Sequence, residues 1–418
     1  MKSRSKESKH KDWELVRLGD NATFLKKLSL SRDQMTPGGE VSYLHYGDIH
    51  VGPRYRLNAK TEPMPTIKST DQGSAVLLAV GDLVFVDASE DAAGIGKSVE
   101  LTDVPPGGVV AGLHTIAVRF DKSLLADGFK AYLQEIPAFR SHMIRLAAGT
   151  KVLASTKAHI ASAELLLPSP DEQKVIAKAL CDTDSLIDSL DALIAKKRDI
   201  KQGAMQQLLT SKTRLPGFSG EWALLLLSEL VRFQNGYSFS SKDYRQKGHQ
   251  LIRISNVQNG KIVLADPIFV DVPQDTRFQQ YILSESDILI SLTGNVGRVA
   301  KMQLDHLPAA LNQRVSKIAP KNLLNLSNDF LYHALRSDVF LNFVIGSGEG
   351  AAQQNTSNAA IGKFPMRLPP SLREQQAIAE VLSDMDAEID ALVARRDKTA
   401  LIKTGMMQEL LTGRTRLI

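Results

Sequence analysis

Residues 373–392 read REQQAIAEVLSDMDAEIDAL, and residues 171–190 read DEQKVIAKALCDTDSLIDSL. The two stretches lie 202 residues apart and align without a gap from Pro168/Pro370 to Leu215/Leu417. Their shared anchors are PS, EQ, IA, D-x-D, ID, IK-x-G-x-M-Q, LLT and TRL, and about half of the aligned positions are identical. Helical composition alone does not produce such agreement. The period is far longer than the roughly 20–50 residues of a solenoid repeat. The chain is therefore a duplicated unit, and each copy is one variable domain followed by one helix.

The domain copies are fainter but run in the same order. DWELVRLGD (12–20) answers EWALLLLSEL (221–230), and YLHYGDIHVG (43–52) answers LIRISNVQNG (251–260). GDLVFVD (81–87) answers SDILISL (286–292), each followed by a Gly-rich turn, AGIGK and TGNVGR. AGLHTIAV (111–118) answers LNQRVSKI (311–318). Short aliphatic runs such as Asp82–Val86 and Asp287–Ser291, bounded by turn residues, read as strands. DFLYHALRSDVFLNFVIG (329–346) reads as one amphipathic helix. The expected class is α+β: two mixed α/β domains, 13–167 and 214–368, with helical spacers at 168–213 and 369–418. Helices that diverge little while the domains diverge greatly share one task, and the domains perform two versions of another.

Within the helices, apolar residues recur at Ile176, Leu180, Thr183, Ile187, Leu190 and Ile194, in steps of four and three. The second copy places Ile378, Leu382, Met385, Ile389 and Leu392 on the same seam, followed by Arg396. Such spacing is a coiled-coil seam, although a core helix in each domain would show a similar stripe. Ser169 and Ser371, with Glu172 and Glu374 three residues on, match a capping box. Both helices are acidic early (Asp182, Asp184, Asp188, Asp191; Asp384, Asp386, Glu388, Asp390) and basic late (Lys196, Lys197, Arg198, Lys201; Arg395, Arg396, Lys398, Lys403). Parallel packing would set acid beside acid, so the charges select an antiparallel pair. An antiparallel pair relates the two copies by a pseudo-two-fold axis, and one chain imitates a dimer. About 40 residues of helix measure roughly 60 Å.

The chain of 418 residues has 43% hydrophobic and 23% charged residues, an ordinary globular balance. Its net charge of +5 permits nucleic-acid binding without demanding it. No apolar run approaches the ~18 residues of a membrane span. The basic stretch MKSRSKESKHKD (1–12) has no apolar segment and reads as a disordered tail. A single cysteine, Cys181, excludes an intrachain disulfide and a cysteine-cluster metal site, and a cytoplasmic location fits.

With its paired Pro-x-x-x-Glu-Gln helix starts in LPSPDEQKVIAKAL and LPPSLREQQAIAEVL, the chain resembles the specificity (S) subunit of type I DNA restriction–modification systems. The ID-x-L continuation, the LLT-x-x-TRL exits and the phrase TRLPGFSGEW carry the same resemblance, which covers essentially the whole chain. It implies two target-recognition domains, each reading one half of a split, asymmetric DNA sequence. It also implies that the helices hold the domains apart and dock two modification (methyltransferase) subunits, with restriction subunits joining the complex. The chain itself would be non-catalytic and hold no cofactor, with S-adenosylmethionine, ATP and Mg on the partner subunits.

Catalytic patterns are missing on inspection. AGIGKS (93–98) lacks the first glycine of a P-loop, because position 91 is Asp. No double proline carries the flanking residues of an amino-methyltransferase, and the nine histidines show no metal-ligand spacing. A self-sufficient methyltransferase is disfavoured, and an assembly scaffold without base-specific reading is the main alternative. Residues able to read bases or hold phosphates gather in four places of the second domain. These are Arg253, Asn256 and Gln258; Thr293, Asn295 and Arg298; Asn312, Gln313 and Arg314; and Gln353, Gln354, Asn355, Ser357 and Asn358. The matching places of the first domain hold His45, Asp48 and His50; Ser89 and Lys97; His114; and Thr150, Lys151, Ser155 and Lys157. Asp87, Glu90 and Asp91 make the first domain's loops more acidic, fitting a different base pattern. Any one of these residues alone would be an ordinary solvated loop side chain.

Overall fold

The computed structural model describes residues 12–50, 55–147, 149, 152–346 and 355–418. The chain divides into two compact units, Met1–Asp191 with Arg395–Ile418, and Ala192–Ala394. Two 39-residue helices, Pro170–Leu208 and Leu372–Leu410, each give one half to either unit.

In the first unit the LVFV strand Leu83–Val86 lies within a five-stranded sheet. The strand order is Ala22–Phe24, Thr115–Phe120, Leu83–Val86, Ser98–Asp103, Arg56–Asn58. All four of its side chains are buried, since both faces of the sheet are covered. Strand alternation sends Leu83 and Phe85 one way, onto Phe129, Phe139, Met143 and the helix residues Ile176, Leu180, Leu410 and Leu411. Val84 and Val86 point the other way, onto Leu44, Ile49 and Val99. A smaller sheet sets Val41–Leu44 antiparallel to Thr66–Ile67 and parallel to Val109–Ala111.

The second unit repeats this plan. Its main sheet runs Val231–Asn235, Val315–Pro320, Ile288–Ser291, Val299–Lys301. The strand His249–Ile252 is again antiparallel to one neighbour, Phe269–Val270, and parallel to another, Ala309–Leu311. Even the register is kept: Val118 lies opposite Leu83 in the first unit, and Ile318 opposite Ile288 in the second. Ile288 and Ile290 join Phe330, Phe340, Ile378, Leu382, Met205 and Leu208 in the core.

The expected helix over 329–346 is two helices, Asn328–Leu335 and Asp338–Gly346. Ser337 divides them. Its Oγ donates to the Ala334 carbonyl (2.7 Å) and accepts from the Phe340 N–H (3.2 Å), closing one helix and opening the next.

Within each unit the two helix halves run antiparallel and pair acid with base. In the first unit Lys403 meets Asp184, and Arg396 meets Asp191 (3.4 Å). In the second, Lys201 meets Asp386, and Lys197 meets Glu388 (2.6 Å). The seam is not uniform. Ile176, Leu180, Ile378 and Leu382 are fully buried in the domain cores, and burying each is worth about 1.5–3 kcal/mol. Leu190, Ile194 and Ile389 are buried, whereas Ile187, Met385 and Leu392 stay half-buried. The helix ends thus belong to the domain cores as well as to the coiled coil.

The capping-box expectation needs correction. Ser169 Oγ does accept from the Glu172 N–H (3.3 Å), but neither glutamate folds back to cap its helix. The buried Glu172 carboxylate takes Arg416 and the indole N–H of Trp13 (3.3 Å), and that of Glu374 takes Arg214. The glutamines beside them bind the domains. Gln173 accepts from the Ala126 N–H (2.9 Å) and donates to the Leu124 carbonyl (2.8 Å). Gln375 does the same with Ser327 (2.8 Å) and Asn325 (3.0 Å). Each EQ pair therefore joins the partner helix's TRL exit to the adjoining domain.

Candidate nucleic-acid interface

Three backbone hydrogen bonds recur in both units and gather the variable loops at one end of the main sheet. In the first unit they are Gly112 N to Leu44 O (2.9 Å), Asp87 N to His114 O (3.1 Å) and Ser155 N to Asp87 O (2.8 Å). In the second they are Asn312 N to Ile252 O (3.2 Å), Leu292 N to Arg314 O (2.9 Å) and Thr356 N to Leu292 O (2.8 Å). The same frame thus presents two different sets of side chains.

In the first unit the frame encloses a cleft of about 570 Å³ lined by Tyr46, His50, Ser89, Glu90, Asp91 and His114. The Tyr46 ring stands edge-on to His114 at 5.3 Å. Ser89 accepts from the Asp91 N–H (3.3 Å), and the Asp91 carboxylate accepts from the Gly94 N–H (2.8 Å). Gly94 has to be glycine, since a Cβ there would stand 2.2 Å from Ser89 Oγ. His50 Nε2 lies 3.2 Å from the Ala88 carbonyl, and Lys97 Nζ donates to the carbonyl of His50 (2.8 Å). Burial holds Lys97 below the ordinary lysine range, with nearby Asp91 opposing that shift. Lys157 is not in the cleft lining; its Nζ sits 5.9 Å from the centre of the Phe24 ring. His45 is 6% exposed, packed 4.3 Å from Tyr46, and burial followed by Arg32 lowers its pKa. A neutral, enclosed imidazole cannot contact DNA, so His45 supports the loop instead. Ser155 is buried too, bonded to the Val86 carbonyl (3.2 Å).

In the second unit the frame assembles Gln258, Thr293, Asn295, Arg298, Asn312, Gln313, Arg314 and Asn355. Arg298 donates to Gln258 Oε1 (2.6 Å). Thr293 pairs with Asn355 in a short bridge, and Asn312 with Tyr237 in another. Asn295, Gln313, Arg314 and Asn355 are exposed. Arg253 is half-buried, with one guanidinium nitrogen on the Asp266 carbonyl (3.0 Å). Asn256 must be withdrawn as a base contact. At 2% exposure its carboxamide accepts from the Arg253 N–H (2.8 Å) and donates to the Val263 carbonyl (2.8 Å), which leaves it nothing for a ligand. Asp48 bonds the His45 N–H (3.0 Å) in the equivalent place. Ser357 caps the helix Asn358–Gly362, accepting from the Ala360 N–H (3.1 Å). Asn358 donates to Asn235 (2.7 Å). Thr150, Lys151, Gln353 and Gln354 lie outside the described residues.

Two aromatic features escaped the sequence reading. One is Tyr46 in the first cleft. The other is a cluster of Tyr237, Phe239, Phe278 and Tyr281 beside Asn312, in which Tyr237 and Phe239 lie 4.9 Å apart. The signal for the second was NGYSF (235–239), a partly exposed aromatic in a Gly-containing loop. Among the described residues no group of three or more His, Cys, Asp or Glu side chains is placed to hold a metal ion. Nor is any helix among them long and apolar enough to cross a membrane.

A repeated scaffold that offers different polar loops at the same place defines a two-part recognition protein. Residues 219–399 match the family model described as the type I restriction modification DNA specificity domain. The chain belongs to the specificity subunit family of type I restriction–modification systems. It is 27% identical over 282 residues to the type I restriction enzyme MjaVIII specificity subunit of Methanocaldococcus jannaschii, covering 64% of this chain and 66% of that relative. It is 30% identical over 199 residues to the EcoKI specificity subunit of Escherichia coli K12, covering 46% of this chain and 42% of that one. The matched stretches thus span less than two thirds of either relative. The crystal structure of a type I system S subunit from M. genitalium has the same fold, with a TM-score of 0.60 at 15% identity over 97% of this chain and 98% of that one.

Proposed function

We propose that this chain is the sequence-specific DNA-binding subunit of a type I restriction–modification complex, each unit reading one half of a split, asymmetric target. The observation that carries this is the duplicated loop frame, on which one copy holds His50, His114 and carboxylates and the other Gln258, Arg298 and Arg314. Arg and Gln read guanine and adenine edges, and carboxylates accept from cytosine, so the two frames suit different half-sites. The long helices dock the modification subunits, two per complex, and restriction subunits join them. Exposed Leu186, Leu193 and Ile200, seven residues apart on the first helix, and Leu401 on the second, supply apolar surface for that docking. The chain performs no chemistry of its own. S-adenosylmethionine, ATP and Mg belong to the partner subunits, and the complex works in the cytoplasm. The test is a methylation map of cells carrying this chain with its modification subunits. A two-part motif with a fixed gap is expected, and methylation without such a motif would leave only an assembly scaffold.

A further inference from the structure

Among the described residues, His114 and Arg314 have the left-handed backbone that side chains other than glycine rarely adopt, with φ of 57° and 70°. They occupy the same place in the duplication, the residue before the strands Thr115–Phe120 and Val315–Pro320. In each, the carbonyl accepts from the residue that follows the neighbouring strand, Asp87 N or Leu292 N. Ser211 and Gly413, which follow the two long helices, form the other equivalent pair, and there one member is glycine. A strained conformation kept twice, with a large polar side chain each time, marks a position where the side chain is needed. Both side chains reach solvent, His114 being 49% exposed.

Their surroundings differ in one informative way. His114 Nδ1 faces Asp87 Oδ1 at 3.1 Å, and Asp87 is also bonded by Lys27 Nζ (2.9 Å). A carboxylate only accepts, so Nδ1 carries the hydrogen, and the neutral ring presents Nε2 as an acceptor. At the place of Asp87 the second unit has Leu292, and among the described residues the Arg314 guanidinium has no side-chain partner. Its fork of donors is free.

We propose that His114 and Arg314 are the matched specificity-determining residues of the two units, Arg314 taking the O6/N7 edge of a guanine and His114 accepting from the amino group of an adenine or cytosine. This rests on the reading of the chain as a DNA specificity subunit. A bidentate arginine discriminates against a wrong base by roughly ten- to a hundredfold.

The test is methylation mapping in cells carrying the full chain with its modification subunits. R314G removes the side chain while glycine keeps the left-handed turn. R314K keeps the charge but loses the fork. Under the proposal, both variants make one guanine position degenerate, in one half-site only, by roughly ten- to a hundredfold. H114G does the same at one position of the other half-site, where an adenine or cytosine stood. The assignment is overturned if R314G leaves every position intact or relaxes both half-sites alike. It is also overturned if R314K keeps the parent specificity, which would make Arg314 a phosphate contact. Absence of any two-part motif with the unaltered chain overturns both this assignment and the reading beneath it.

Discussion

The guanidinium of Arg214 holds the fully buried carboxylate of Glu374, its Nε donating to Oε1 over 2.9 Å. Arg214 also donates to the Ser219 carbonyl (3.0 Å), so the link between helix and domain is fastened to the start of the other helix. Arg416 and Glu172 repeat the arrangement in the first unit, where Trp13 adds its indole N–H. Removing one partner of a buried pair leaves the other charge uncompensated, which costs about 3–5 kcal/mol. Glu374→Ala is expected to destabilise the second unit by that order, and Glu374→Gln by less. Denaturant unfolding of the full chain measures it, and an unchanged midpoint for Glu374→Ala would deny the pair a structural role.

His333 gives the second unit an acid sensitivity. It is fully buried, with Nε2 2.9 Å from Ser383 Oγ, and its pKa is lowered to about 3, by burial first and then by Arg336, against the pull of Asp386. The unfolded chain therefore binds a proton that the folded chain refuses. Stability is fully present above pH ~6.5 and falls by up to about 1.4 kcal/mol per pH unit between there and pH ~3. His333→Gln removes that slope. Asp386, held below the ordinary carboxylate range by Arg336 and Lys201 despite burial that would raise it, adds a second loss only below about pH 4. Unfolding midpoints measured from pH 7 to 4 separate the two, and equal slopes for His333→Gln and the parent would contradict this account.

The helix pairing was legible in the sequence because period and charge point to the same answer. A seam in steps of three and four, acidic early and basic late, leaves Lys403 with Asp184 and Lys201 with Asp386 as the natural contacts. The role of Glu172 was not legible, because its partner Arg416 is 244 residues away and local spacing offered a plausible cap instead. Asn256 misled for a related reason. Polar residues in a loop read as surface, but an Asn three residues after Arg253 can turn inward to bond its backbone, and this one does. The loop frame itself was half visible. The aligned strand ends gave its order, whereas the bonds joining Leu292 to Arg314 and Thr356 connect strands that only folding brings together.

Ser357 tests whether a polar loop residue serves the fold or the target. Its hydroxyl accepts from the Ala360 N–H, as Thr156 accepts from the His159 N–H (3.2 Å) at the equivalent place of the first unit. Ser357→Ala should cost about 1 kcal/mol of stability and leave the methylated motif unchanged. An altered motif at parent stability would return Ser357 to the recognition residues.

The exposed apolar residues of the helices should matter to assembly and not to folding. Leu193 and Leu401 are both exposed, Leu401 at 74%. A charge at either one costs the isolated chain little, because surface substitutions usually change stability by less than about 0.5 kcal/mol. Leu193→Glu with Leu401→Glu is expected to weaken co-purification of the modification subunits while the thermal midpoint of the chain holds. Full retention of those subunits would move the docking surface elsewhere.

Arg298 separates base reading from phosphate holding. Its side chain donates to Gln258, and its N–H donates to Ser291 Oγ (3.0 Å), so the backbone keeps its place when the side chain is cut. Arg298→Ala in the assembled complex is expected to lower affinity for DNA whose second half-site is intact. It should matter much less on DNA in which that half-site is already scrambled. The salt dependence then names the contact. Each phosphate released lowers the slope of log K against log salt by about 0.9, whereas a base contact leaves the slope unchanged. Titrations at two or three salt concentrations read both quantities. Equal loss on intact and scrambled DNA with no change in slope would place Arg298 outside the DNA interface.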